Sequence, residues 1–131
     1  DIKRMVWEKL ICNVCFSGIC TVSESQIGQV LEDSELWKIA KGCAEEAYQV
    51  SLAKGIQLSF KKPVPYVLAF GQKMPHARPS MLLDHIEGRE SEIEAINGAI
   101  VREGIENGIS TPFNTVITSL VLAKESRLGL R

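Results

Sequence analysis

The stretch "SELWKIAKGCAEEAYQVSLAKG", residues 34–55, decides the fold. Leu36, Ile39, Ala40, Cys43, Ala47 and Val50 recur at the 3.6-residue spacing of a helix with one buried face. Ser34 can cap its start, and Lys54-Gly55 is a C-terminal stop signal. A periodic segment this long is a helix, and the rest of the chain follows suit.

Before it, a helix is expected from Ile2 to Ser17, ending near Gly18, and a short one from Ser23 to Leu31, with Ser23 as its cap and Gln26 three residues on. After it, "IQLSFKKPVP" reads as an extended connection, because Pro63 and Pro65 bias Lys62 and Val64 away from helix. Helices are then expected at Tyr66–Gln72, Ser80–Ile86 and Glu90–Glu106, with "MPHARP" as a proline-rich turn. Thr111 followed by Pro112 is a cap with proline at the first helical position, opening a last helix to about Ser126. No alternating strand, repeat or low-complexity tract interrupts this pattern. The fold class is all-α, in one domain over residues 1–131.

Composition narrows the function. Of 131 residues, 45 % are hydrophobic, enough to fill a core, and 15 basic against 16 acidic side chains leave a net charge of −1. That balance gives no basic stripe for nucleic acid, and the few aromatics form no stacking platform. No apolar run reaches the roughly 18 residues that span a bilayer, and "DIKRMVWEKL" is not a signal peptide, so no membrane partner and a cytoplasmic location are expected. The opening at Asp1, without an initiator Met, suggests a domain of something longer. Cys12 and Cys15 have CxxC spacing, but with no second such pair, and with His76 and His85 far along the chain, the four cysteines read as core thiols and no metal is expected.

On so apolar a chain, chemistry must come from polar residues placed against the helical rule. On the first helix Trp7, Leu10, Ile11, Val14 and Cys15 cover one side, and Cys12 and Phe16 extend the apolar surface. Lys9, Asn13 and Ser17, spaced i, i+4, i+8, form one narrow polar stripe, which faces either an internal cleft or the solvent. Around Ile93, Ile96 and Ile100, the residues Glu94, Gly98 and Arg102 read as solvated surface. Glu92 instead falls at the margin of the apolar stripe, roughly 60° from its centre at about 100° per residue. A carboxylate there is partly desolvated and wants a cation, for which Lys9 is a candidate.

The segments "WEKLICNVCFSG" (7–18) and "PSMLLDHIEGRESEIEAINGAIVREGIENGISTPFN" (79–114) closely resemble the C-terminal domain of the ketopantoate reductase (2-dehydropantoate 2-reductase) family, and the resemblance runs over almost the whole chain. It implies an all-helical domain of the 6-phosphogluconate dehydrogenase C-terminal-like type, joined to an N-terminal Rossmann domain that binds NADPH. A 2-keto acid substrate is reduced between the two. Carried over by position, it implies that Lys9 is the general acid and that Glu92 orients it and contacts substrate or cofactor hydroxyls. It likewise implies that Asn13 binds substrate and that Ser80 holds the substrate carboxylate. Asp84 and Arg89 also match, where an ion pair or cap is as good a reading as catalysis.

Two departures qualify this. Family members commonly have a second asparagine where this chain has Ser17, which as a substrate-binding residue reaches less far. No Gly-rich phosphate loop is present, so the chain alone lacks the site of the hydride donor and is expected to be inactive by itself. Two alternatives stand beside this reading: another hydroxyacid dehydrogenase of shared architecture, and a non-catalytic helical dimerisation module. Apolar helices of this kind also build subunit interfaces, so a homodimer is a further expectation.

Overall fold

Helix α1 (Ile2–Ser23) is the axis of the molecule, six residues longer than the sequence led us to expect. Our computed structural model describes residues 1–131 as seven α-helices and one 3-10 turn, without strands. Gly18 is not a stop: it lies mid-helix, where a Cβ would overlap Ile117 on the last helix, so its lack of a side chain lets two helices close up. The end falls instead at Glu24, in the left-handed conformation (φ 54°, ψ 47°), whose N–H bonds the Cys20 carbonyl. From Ile11 to Thr21 every residue except Asn13 is buried. By length and composition α1 could cross a membrane, which corrects the expectation that no segment would, but 56 % of its most apolar window is buried within the fold.

The other helices start where hydrogen-bond chemistry, rather than periodicity, puts them. Helix α2 (Ile27–Glu32) is capped by Gln26, not Ser23, with the Gln29 side chain accepting from the Gln26 N–H at 2.8 Å. Helix α3 (Ser34–Ala53) is capped by Asp33, whose carboxylate accepts from Glu35 N at 3.0 Å and Leu36 N at 3.2 Å, so Ser34 is already helical. Helix α4 (Pro63–Gln72) begins three residues earlier than expected, because Pro63 suits the first helical position. Helix α5 (Ser80–Ile86) has the expected bounds.

The expected helix over Glu90–Glu106 is broken. Residues 87–92 form a connection, Ile93–Ala95 a 3-10 turn, and helix α6 runs from Asn97 to Asn107. A buried carboxylate explains the break. Glu125, 0 % exposed on helix α7 (Pro112–Arg127), accepts from Ser91 N at 2.8 Å and Ser91 Oγ at 2.6 Å, and lies 2.7 Å from His85 Nε2. Its other oxygen accepts from Arg131 Nε at 2.8 Å. Burial alone would raise the Glu125 pKa, but the bonds from Ser91, His85 and Arg131 outweigh it and hold the group at about 2. The Ser91 backbone is thereby committed to α7 rather than to a helical ladder.

A second polar chain ties α1, α3, α6 and α7 together. Asn97 Nδ2 donates to the Val14 carbonyl at 3.1 Å and to Asn114 Oδ1 at 2.9 Å, and Asn114 Nδ2 donates to the Cys43 carbonyl at 3.1 Å and Glu46 Oε1 at 2.9 Å. The Glu46 carboxylate also accepts from the N–H groups of Phe113 and Asn114, each at 2.9 Å. It thus caps α7 from another helix, while Thr111, the expected cap, makes no side-chain cap bond. Around these bonds 21 buried apolar residues form one continuous core, with Phe16 stacked 6.2 Å from both Trp37 and Phe70.

Candidate functional site

A cleft of about 180 Å3 opens beside the middle of α1, lined by Asn13 and Ser17 from that helix, by Arg78 and Ser80, and by an apolar wall that includes Phe16 and Phe70. Two turns of α1 meet it: Asn13 is half-buried and Ser17 is 6 % exposed. Of the two readings of the stripe, the cleft is the one realised for Asn13 and Ser17. At this volume, below that of a drug-sized pocket, the cleft admits only a small molecule.

The opposite rim is held by backbone bonds. Ile27 and Gly28, the first residues of α2, donate their otherwise unpaired N–H groups to the carbonyls of Ala77 (3.0 Å) and Pro75 (2.7 Å). A Cβ at Gly28 would sit 2.7 Å from the Pro75 oxygen, so glycine is what allows the segment to lie this close. The clamp fixes the course of the chain just before Arg78 and Ser80, the latter at the first position of α5.

Lys9 lies one helical turn before Asn13, about 6 Å along the axis, exposed and outside the cleft's lining. Glu92 departs from expectation: it precedes the 3-10 turn (φ −89°, ψ 34°), is exposed, and does not line the cleft. The assumed margin position rested on a continuous helix that the Ser91–Glu125 bonds prevent. The seven ion pairs of the structure include none between Lys9 and Glu92. Gly98, read as surface, is buried, whereas Glu94 is exposed and pairs with Arg131 at 3.2 Å. Asp84 and Arg89 form an ion pair at 3.1 Å, reinforced by Arg89 N donating to the Asp84 carbonyl at 2.7 Å. The pair closes the turn after α5, a structural role.

Arg78 was missed because "MPHARP" reads as a turn; the available signal was a cation two residues before Ser80. Cys12 also lines the cleft, but burial, with a smaller contribution from Glu8, pushes its thiol up to about 12, too high for a nucleophile. All four cysteines are free and buried. A larger groove of about 430 Å3 runs between α1, α3 and α7, lined by Val22, Leu36, Ile39, Phe113, Val116 and Leu120 among others. It carries no titratable side chain and so offers no acid–base chemistry.

Known proteins resolve the family. The family model described as "Ketopantoate reductase PanE/ApbA C terminal" matches residues 1–125. A 2-dehydropantoate 2-reductase of Archaeoglobus fulgidus is 33 % identical over 128 residues, covering 98 % of this chain and 42 % of that protein. The crystal structure of a ketopantoate reductase from Ralstonia eutropha superposes with a TM-score of 0.91 at 26 % identity, covering 98 % of this chain and 43 % of that one. The ternary structure of D-mandelate dehydrogenase with NADH and anilino(oxo)acetate matches at TM-score 0.83 and 30 % identity, covering 95 % and 41 %. The chain therefore spans less than half the length of each of these relatives. With the family's helical architecture and its C-terminal model matched almost end to end, the chain belongs to the ketopantoate reductase family, as its C-terminal domain.

Proposed function

We propose that residues 1–131 are the substrate domain of a cytoplasmic NADPH-dependent reductase that converts 2-dehydropantoate to pantoate. The observation that carries this reading is the convergence of Asn13, Ser17 and Ser80, three positions named from the family pattern, on one small cleft with Lys9 a turn away on the same helix. The dinucleotide belongs to an N-terminal Rossmann domain of the same polypeptide: the positive-φ glycines here, Gly55, Gly88, Gly108 and Gly129, are spread singly along the chain and form no phosphate loop.

When bound, a reduced nicotinamide would supply the hydride to the keto carbon. Everything else falls to this domain. As negative charge grows on the ketone oxygen, the Lys9 ammonium stabilises it and then donates a proton, leaving the hydroxyl. Lys9 is unpaired in this structure, so no ion pair must break first. Asn13 and Ser17 offer hydrogen bonds to the substrate's oxygens, and Ser80 donates its hydroxyl to the carboxylate. Glu92, with both carboxylate oxygens free, is assigned to orienting Lys9 and accepting from a substrate or cofactor hydroxyl.

A second copy of the protein is the proposed occupant of the apolar groove, where Val116 and Leu120 are 57 % and 47 % exposed. A homodimer in solution that Leu120→Glu turns into a monomer supports that assignment; a monomeric wild type removes it. A second substrate reading, a 2-keto acid with a bulkier apolar group, is favoured by Ser17 and by the Phe16 and Phe70 walls. Steady-state NADPH oxidation by the full-length enzyme with 2-dehydropantoate and with phenylglyoxylate decides between them. Higher kcat/KM for 2-dehydropantoate upholds the primary reading, the reverse order replaces it with the second, and turnover of neither ends both.

A further inference from the structure

We infer that Arg78 is the cation that binds the carboxylate of the substrate, which leaves Lys9 to the adjacent keto oxygen. This inference rests on the proposed 2-keto acid reading. Of the 12 residues lining the cleft, Arg78 alone carries a charge, and none is acidic. It is exposed and joins none of the seven ion pairs in the structure, so its guanidinium is free to meet an anion at the rim.

The need for such a group follows from the substrate. A 2-keto acid brings a full negative charge into a cleft whose other polar groups, Asn13, Ser17 and Ser80, are neutral. Neutral donors satisfy lone pairs but leave the charge itself uncompensated. Lys9 is the other nearby cation, and it has to face the ketone oxygen to act as an acid. An ammonium shared with the neighbouring carboxylate would be divided between two acceptors, whereas a separate cation leaves Lys9 to the oxygen that becomes the alkoxide. A guanidinium fits the task that remains, because its planar fork matches a carboxylate with two parallel hydrogen bonds.

The main chain at Arg78 is fixed, while its side chain is exposed. The clamp from Ile27 and Gly28 to Ala77 and Pro75 fixes the residues just before it, and the ring of Pro79 (φ −59°, ψ 153°) restricts the backbone of Arg78 itself. Arg78 and Ser80 thus stand on either side of a stiff proline at the rim of the cleft. The serine hydroxyl and the guanidinium, both lining this rim, can share the carboxylate.

The test uses the full-length enzyme, wild type and with Arg78→Gln and Arg78→Lys. Substrates are 2-dehydropantoate, 2-oxoisovalerate and phenylglyoxylate, with the methyl esters of the last two as uncharged counterparts. Arg78→Gln is expected to raise KM for the acids by about 10- to 100-fold, the scale of a charge-assisted hydrogen bond, with kcat and the KM for the esters little changed. Arg78→Lys is expected to recover part of the loss. An unchanged KM for the acids, an equal rise for acid and ester, or a rise confined to the KM for NADPH each overturns the inference. Wild-type turnover with an indifferent Arg78→Gln removes Arg78 alone and leaves the reductase reading standing. Wild-type failure on every 2-keto acid removes both.

Discussion

The side-chain amide of Asn97 donates to Oδ1 of Asn114 at 2.9 Å, and both residues are 0 % exposed. The same amide reaches the Val14 carbonyl at 3.1 Å, next to Asn13, so the wall of the cleft is tied to α6 and α7 by one side chain. Asn97→Ala leaves the Val14 carbonyl and the Asn114 oxygen short of a donor. A buried polar group left unpaired costs about 1–3 kcal/mol. Because Asn97 Oδ1 is itself unpartnered, part of that cost is already present in the wild type, and a loss near the lower end, about 1 kcal/mol, is expected. Urea unfolding of the full-length protein checks this; an unchanged midpoint would mean that the amide contributes nothing net.

Acid sensitivity follows from Glu125. Its folded pKa lies at about 2, below the ordinary value of 4.5. A depressed carboxylate contributes stability that is complete above its unfolded pKa and is lost as pH falls through the folded one. Stability is therefore expected to decline between about pH 4.5 and 2, as the bonds from Ser91, His85 and Arg131 lose their charged acceptor. Glu125→Gln keeps the shape but not the charge, so it lowers stability at neutral pH and flattens this part of the pH profile. Unfolding midpoints measured across the range test it, and parallel profiles for the two proteins would assign the acid loss to other groups.

The helices were legible because burial imposes periodicity, and α5 came out to the residue. What stayed hidden were effects of distant partners. The break before α6 is caused by Glu125, 34 residues from Ser91, and the cap of α7 by Glu46, 67 residues from Phe113. Gly18 imitates a stop signal in sequence, but in space it is the point where α1 and α7 approach. In the site, Asn13 and Ser17 were legible as a polar interruption of an apolar helix. Ser80 came only from the family pattern, and Arg78 could not stand out until the clamp to α2 placed its segment against the cleft.

Ser17 lies in the cleft, at a position where the family resemblance implies asparagine. If 2-dehydropantoate is the substrate, the shorter serine leaves its hydroxyl contact incomplete. Ser17→Asn in the full-length enzyme is expected to raise kcat/KM for 2-dehydropantoate by about 2- to 12-fold, the value of one neutral hydrogen bond. It is expected to help less with 2-oxoisovalerate, which lacks that hydroxyl. An equal or opposite effect on the two keto acids would show that Ser17 is not the hydroxyl contact.

Lys9 bears the central claim, because an exposed, unpaired ammonium one turn from Asn13 is assigned the proton transfer. The direct measurement is single-turnover reduction of 2-dehydropantoate by the full-length enzyme pre-loaded with NADPH, wild type against Lys9→Ala. Loss of a positioned general acid predicts a fall in rate of about 100-fold or more, with NADPH affinity, read by fluorescence titration, unchanged. A Lys9→Ala enzyme that reduces 2-dehydropantoate at the wild-type rate would contradict the account and return the polar stripe on α1 to a structural role.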